Sequence, residues 1–278
     1  MNIPQYEIEK RKNEAEAYLN KVVDLAVEAS EDMKKTIKEY FIQMIESSFK
    51  YRQMRLSFRF SGDAALDEKI NSILSGLRES IYNIIYDKSI SSSEIAEDKE
   101  NGIVGKAFIS SFLASKIYDK TLKERISMYV NQLKYEVESY ISAGMYKGLS
   151  KNEIWNQWIK NISNPYRSAL MVDSFNTNFE ATRIQSKGIK YGKGRMIGAF
   201  GNLKRLEQNT VFQSYNTSLN HIWEKDSRIV GWFTVRGSSY PCSYCDMQAY
   251  TFHPKTESFL QWHARCVCIM IPVYKGEI

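Results

Sequence analysis

IVGWFTVRGSSYPCSYC, residues 229–245, and WHARCVCIMIPV, residues 262–273, are where the chain changes character. IVGWFTVR (229–236) and CVCIMIPV (266–273) are rich in β-branched and apolar residues and short enough to be strands. All four cysteines, Cys242, Cys245, Cys266 and Cys268, lie between or on these two runs. The pattern predicts a small β unit of two or three strands over about 229–274, pinned by a metal ion and appended to a helical body. The fold class is therefore mainly α with a small C-terminal zinc-pinned β unit, α+β overall.

The metal expectation rests on spacing. Two cysteines separated by two residues share one metal because the intervening turn brings both sulfurs to one point, and Cys242-Ser-Tyr-Cys245 has that form. After seventeen intervening residues, His263-Ala-Arg-Cys266 repeats the geometry as the return leg of a zinc knuckle. Cys268 makes five candidate ligands for four positions. On a strand Cys266 and Cys268 share a face, so either completes the site beside His263, or both serve with His263 displaced. The favoured set is Cys242, Cys245, His263 and Cys266, with Cys268 the alternative ligand and the zinc structural. Clustered cysteines in a chain that opens without an apolar export segment favour metal over disulfides.

Upstream the period is helical. Tyr18, Val22, Ala26, Ala29, Met33, Ile37, Tyr40 and Met44 recur every three or four residues, predicting one long amphipathic helix over about 5–56. Gly62 interrupts, Asp63 offers a cap, and Leu66, Ile70, Ile73, Leu77, Ile81 and Ile84 mark a second helix. SISSSEIAEDKENG, residues 89–102, reads as a polar linker. A third pattern runs through Phe112, Ile117, Leu122, Ile126, Tyr129, Leu133, Val137 and Ile141, with Gly148 where a left-handed cap is needed. Ser150-Lys-Asn-Glu153 is a capping box that opens a short helix through Trp155, Trp158 and Ile159, stopped by Asn164-Pro165. Residues 166–182 and 203–222 also read as helices. The apolar stripes are core faces, and the chain divides into a helical region, 1–139, and a region 140–278 that carries the knuckle.

The 278 residues, 43% of them hydrophobic, are enough for a real core. No run of about 18 apolar residues marks a membrane span. A formal charge of +6 permits contact with nucleic acid or an acidic surface without demanding it. The basic residues concentrate in RIQSKGIKYGKGRMIGAFGNLKR, residues 183–205, which holds seven lysines and arginines, five glycines and no acid. Lys187, Lys190, Lys193 and Arg195 are its candidate phosphate contacts, and a solvated loop is the plainer reading.

Enzymatic readings fit poorly. Pro241-Cys-x-x-Cys matches half of a zinc deaminase signature, but the other half, His-x-Glu, is met only by His221-Ile-Trp-Glu224, one residue too long. A zinc-supported nuclease would use His253 as base, within a Phe252-His253-Pro254 turn that reads as an ordinary loop. No carboxylate pair, phosphate loop or nucleophile triad stands out.

Four stretches resemble the phage minor head (head morphogenesis) protein family, the group typified by the Mu F protein. ISAGMYKGLSKNEIWNQWIK (141–160) is similar to its glycine turn and capping box, and RLEQNTVFQSYNTSLN (205–220) to its Arg-Thr-Glu helix. IVGWFTVRGSSYPCSYC resembles the strand leading to Cys-x-x-Cys, and WHARCVCIMIPV the closing His-Pro-x-Cys-Arg-Cys segment. The likeness covers roughly 140–274. It departs from the family at Leu206, at Arg236-Gly237 where an acid often stands, and at Val267. The resemblance implies a minor structural protein of the virion head, made in the bacterial host cytoplasm, lying inside the head or at the portal vertex. Its implied partners are the portal, other head proteins and packaged DNA, with no membrane and no small-molecule substrate. Some family members resemble carriers of ADP-ribosyltransferase domains, but only five residues follow Val273 here.

Overall fold

The computed structural model describes residues 2–51, 58–117, 119–165, 168–171, 190–191, 195–196 and 198–278. Helices dominate: α1 (Gln5–Lys50), α2 (Ala64–Glu100), α3 (Lys106–Ala114), α4 (Leu122–Tyr146), α5 (Lys151–Lys160), α6 (Ala199–Lys225) and the short α7 (Ser243–Gln248). The two-residue strands β1 (Lys190–Tyr191) and β2 (Arg195–Met196) pair antiparallel. The expected C-terminal β unit is an antiparallel sheet of order β4-β3-β5, built from β3 (Ile229–Val235), β4 (His253–Pro254) and β5 (Ile269–Tyr274). Among the described residues no helix is long and apolar enough to cross a membrane.

The chain forms two compact units that are each discontinuous in sequence: Met1–Ser30, Ile84–Ser115 and Glu207–Ile278 in the first, Glu31–Asn83 and Lys116–Leu206 in the second. Residues 139 and 140, where the sequence suggested a division, lie within α4.

In the first unit the sheet supplies the core. β3 is buried at every position but Val230, because helices cover it and apolar residues are needed on both faces. Trp232, Phe233, Ile271 and Val273 pack with Val22 and Ala26 of α1 and with Val211, Leu219 and Trp223 of α6. Burying each such large side chain contributes about 2–3 kcal/mol.

The same unit corrects the reading of 89–102 as a linker, since α2 continues to Glu100. Ser89, Ser92, Ser93 and Ala96 are all buried. Ser92 Oγ donates to the Val211 carbonyl at 2.8 Å, and the hydroxyls of Ser93 and Ser218 meet at 2.8 Å. Small side chains that carry their own hydrogen-bond partners let two helices approach closely, so a polar composition concealed a buried face. The helix stops at Asn101, whose φ of 51° is left-handed, with Gly102 N–H returning to the Glu97 carbonyl at 3.0 Å.

The third apolar stripe proves to be two helices, α3 in the first unit and α4 in the second. α3 ends at Ala114 and α4 starts after Thr121, whose hydroxyl accepts from Glu124 N–H while the Glu124 carboxylate accepts from Thr121 N–H. Elsewhere the local signals hold. Asp63 Oδ1 accepts from Leu66 N–H at 3.0 Å, and Ser150 and Glu153 form the capping box of α5. Gly148, at φ 71°, ends α4 with Leu149 N–H bonded to the Gly144 carbonyl at 2.8 Å. Phe41 stacks on Trp158 with centroids 4.3 Å apart. A buried polar chain anchors the start of α6: Asn202 donates to Gln132, Gln132 to Glu136, and Glu136 also accepts from Ala199 N–H at 2.8 Å. A carboxylate at a helix N-terminus meets the positive end of its dipole. The described α6 is longer than the 203–222 expected, and the helix expected over 166–182 falls mostly outside the described residues.

Candidate metal centre

The cysteine cluster sits where two loops leave the sheet. Beyond β3 the chain passes Arg236-Gly237, and a β-carbon on Gly237 would lie 1.8 Å from the carbonyl oxygen of Val267. Only glycine lets the two metal-bearing loops cross this closely. Cys242 then caps α7, with Asp246 N–H on its carbonyl at 2.9 Å, so Cys242 and Cys245 fall on one side of the first helical turn. On the other loop Cys266 N–H bonds back to the His263 carbonyl at 3.0 Å, a tight turn completed by Arg265 at φ 63°.

These turns bring the expected donors together. His263 Nε2 lies 3.3 Å from Cys242 Sγ and 3.1 Å from Cys245 Sγ, and the sulfurs of Cys245 and Cys266 are 3.8 Å apart. Two thiolates on one tetrahedral zinc stand about 3.8 Å apart, given a Zn–S bond of about 2.3 Å. Cys245, Cys266 and Cys268 are buried, Cys242 is half-buried, and all four are free thiols. His263 Nδ1–H donates to the Ala264 carbonyl at 2.9 Å, which leaves the Nε2 lone pair facing the sulfurs, as a metal-ligating imidazole requires. The cluster of Cys242, Cys245, His263, Cys266 and Cys268 can thus hold a metal ion.

Electrostatics favour a cation among these groups. Hydrogen bonds from the Cys268 thiol and backbone lower the Cys266 thiol to about 5. Burial, with the thiolate next door, pushes Cys245 up to about 12, and its bond to Cys266 pushes Cys268 up as well. One thiolate forms readily and its neighbours then resist ionising; a divalent cation would remove that conflict.

Residues outside the Cys/His pattern hold the loops. Arg236 donates to the carbonyls of Cys242, Ser238 and Tyr240 and pairs with Asp246. Asn209, Asn216 and Asn220 line one side of α6: Asn209 accepts from Arg265 N–H, while Asn216 and Asn220 donate to the carbonyls of Leu260 and Phe259. Gln261 donates to the Cys266 carbonyl, and Trp262 Nε1–H to Thr234. The asparagines recur at helical spacing, a signal that could have marked this side of α6, whereas nothing in the sequence marks Arg236 as a clasp for carbonyls.

The other candidates lie elsewhere. His253 stacks on Trp232 with centroids 4.3 Å apart and bonds to Glu257 at 2.9 Å, within the aromatic face of the sheet. His221 stacks on Phe108 and meets Lys225, and neither histidine belongs to the donor cluster. Of the basic candidates, Lys187 and Lys193 lie outside the described residues, and Lys190 and Arg195 sit on β1 and β2.

Comparison of the chain with family models, with curated proteins and with solved structures finds no match.

Proposed function

We propose that this chain is a minor structural protein of a phage or prophage head, associated with the portal and the head interior, whose C-terminal β unit is held by one structural zinc ion. The observation that carries the reading is the Cys/His cluster: the loops that resemble the minor head family are the ones that converge on a metal-ligating set. Thiolate and imidazole donors suit zinc. Cys242, Cys245 and His263 supply three ligands, and Cys266, its sulfur 3.8 Å from that of Cys245, the fourth, with Cys268 the alternative.

Five donors for four positions would fill the coordination of one zinc, so the ion would work as a cross-link between two loops rather than as a catalytic centre. Head assembly needs a rigid part that docks on other subunits, and a cross-linked sheet packed under helices supplies one. Co-expression with the portal and neighbouring head proteins tests the assignment. The portal should co-purify with the chain; a chain recovered alone, with a co-expressed portal that assembles normally without it, would count against the reading.

A further inference from the structure

The five donors gather as two overlapping sets. Cys242 Sγ, Cys245 Sγ and His263 Nε2 lie within 4.8 Å of one another, and so do the sulfurs of Cys245, Cys266 and Cys268. Cys245 belongs to both. A tetrahedral zinc uses four of these donors and leaves one thiol over, but ions that accept three soft ligands would use all five. Cu(I) is such an ion, selected by thiolates and content with low coordination. A thiolate sulfur has lone pairs enough to bridge two such ions.

We propose that this cluster also takes a thiolate-bridged pair of Cu(I) ions, one held by Cys242, Cys245 and His263, the other by Cys245, Cys266 and Cys268. The inference rests on the metal-centre reading above and names a second cargo for it. The local backbone suits both halves: a helical turn sets Cys242 and Cys245 side by side, and the segment just before β5 brings the sulfurs of Cys266 and Cys268 within 4.8 Å of each other. Four thiolates outweigh two monovalent cations, and the surplus negative charge lies beside Arg236 and Arg265, which border a cleft of about 520 Å³ against the cluster. The cleft, with Cys242 half-buried and His263 exposed at its wall, gives an entering ion a path. Each thiol that binds copper releases its proton to solvent, and no redox step is needed when copper arrives as Cu(I).

The test uses the full chain, stripped of metal under anaerobic reducing conditions. It is titrated with Cu(I) from its acetonitrile complex against a copper-specific chelator, and in parallel with Zn(II) against a zinc-sensitive dye. The expected result is about two Cu(I) or about one Zn(II) per chain, with a short copper–copper vector in X-ray absorption. Cys268→Ser should hold about one Cu(I), lose that vector and keep its zinc, and Cys245→Ser should lose the vector too. One Cu(I) per wild-type chain, or two without the copper–copper vector, overturns the inference while zinc binding leaves the metal centre standing. Binding of neither metal overturns both. Should Cys268→Ser fail to fold, the wild-type ratio and the vector decide alone.

Discussion

Cys245 and Cys266 come from different loops, yet their sulfurs stand 3.8 Å apart, the spacing of two ligands on one ion. Around that pair the protein has placed an imidazole, two further thiols and an arginine that binds the loop carbonyls. The contact ties the end of β3 to the start of β5, and the first predictions concern what keeps the two loops in register.

Arg236 holds the carbonyl of the ligand Cys242 together with those of Ser238 and Tyr240. Arg236→Ala should lower metal affinity about 10- to 100-fold, the usual cost of losing an outer-shell partner, with helical circular dichroism unchanged. Competition against a chelating dye reads it. Unchanged affinity would show that the clasp plays no part in the site.

At Gly237 an added methyl would collide with the Val267 carbonyl, a backbone atom that cannot swing away. Gly237→Ala should destabilise the protein by about 1–3 kcal/mol, as overpacking does. Gly62, with nothing within 4 Å of a built β-carbon, is the control and should tolerate alanine. Equal melting temperatures for the two variants would contradict the account.

Acid should loosen the join between the two ends of the described chain. Glu277 receives Arg11 at 2.5 and 3.1 Å, and that bond holds its carboxyl below the ordinary 4.5. A depressed carboxyl contributes stability that is full above pH 4.5 and is lost as pH falls through the folded-state value. The contribution is about 1–2 kcal/mol, because both groups are largely buried. Glu277→Gln should remove it and flatten the fall of the melting temperature below that pH; an unaltered acid limb would assign the loss to other carboxylates.

Binding to packaged DNA, if it runs through the basic segment, should depend steeply on salt. Replacing Lys187, Lys190, Lys193 and Arg195 together by Gln should flatten the slope of log K against log salt by about 0.9 for each phosphate no longer neutralised, without altering sequence preference. The same slope and affinity in both proteins would mark the segment as a solvated loop.

Much of this architecture could be read from the sequence, for physical reasons that also explain the failures. Val22, Ala26, Met33 and Ile37 announce a helix because one face is buried over its whole length. Ser89, Ser92 and Ser93 hide one, because hydroxyls bonded to a neighbouring helix are buried without being apolar. Thr121 and Glu124 form the same box as Ser150 and Glu153, but an unbroken apolar stripe masked the helix start between them. The donors Cys242, Cys245 and His263 were legible because metal geometry constrains spacing along the chain. The two-residue strand at His253 and the clasp of Arg236 were not, since their partners are backbone atoms of segments distant or irregular in sequence.

The most direct test is the metal content of freshly purified, reduced protein, measured by elemental analysis beside a thiol count. About one tightly held zinc per chain is expected, released as the chain is unfolded, with four free thiols in the metal-stripped protein. A metal-free protein whose cysteines are paired in disulfides would contradict it.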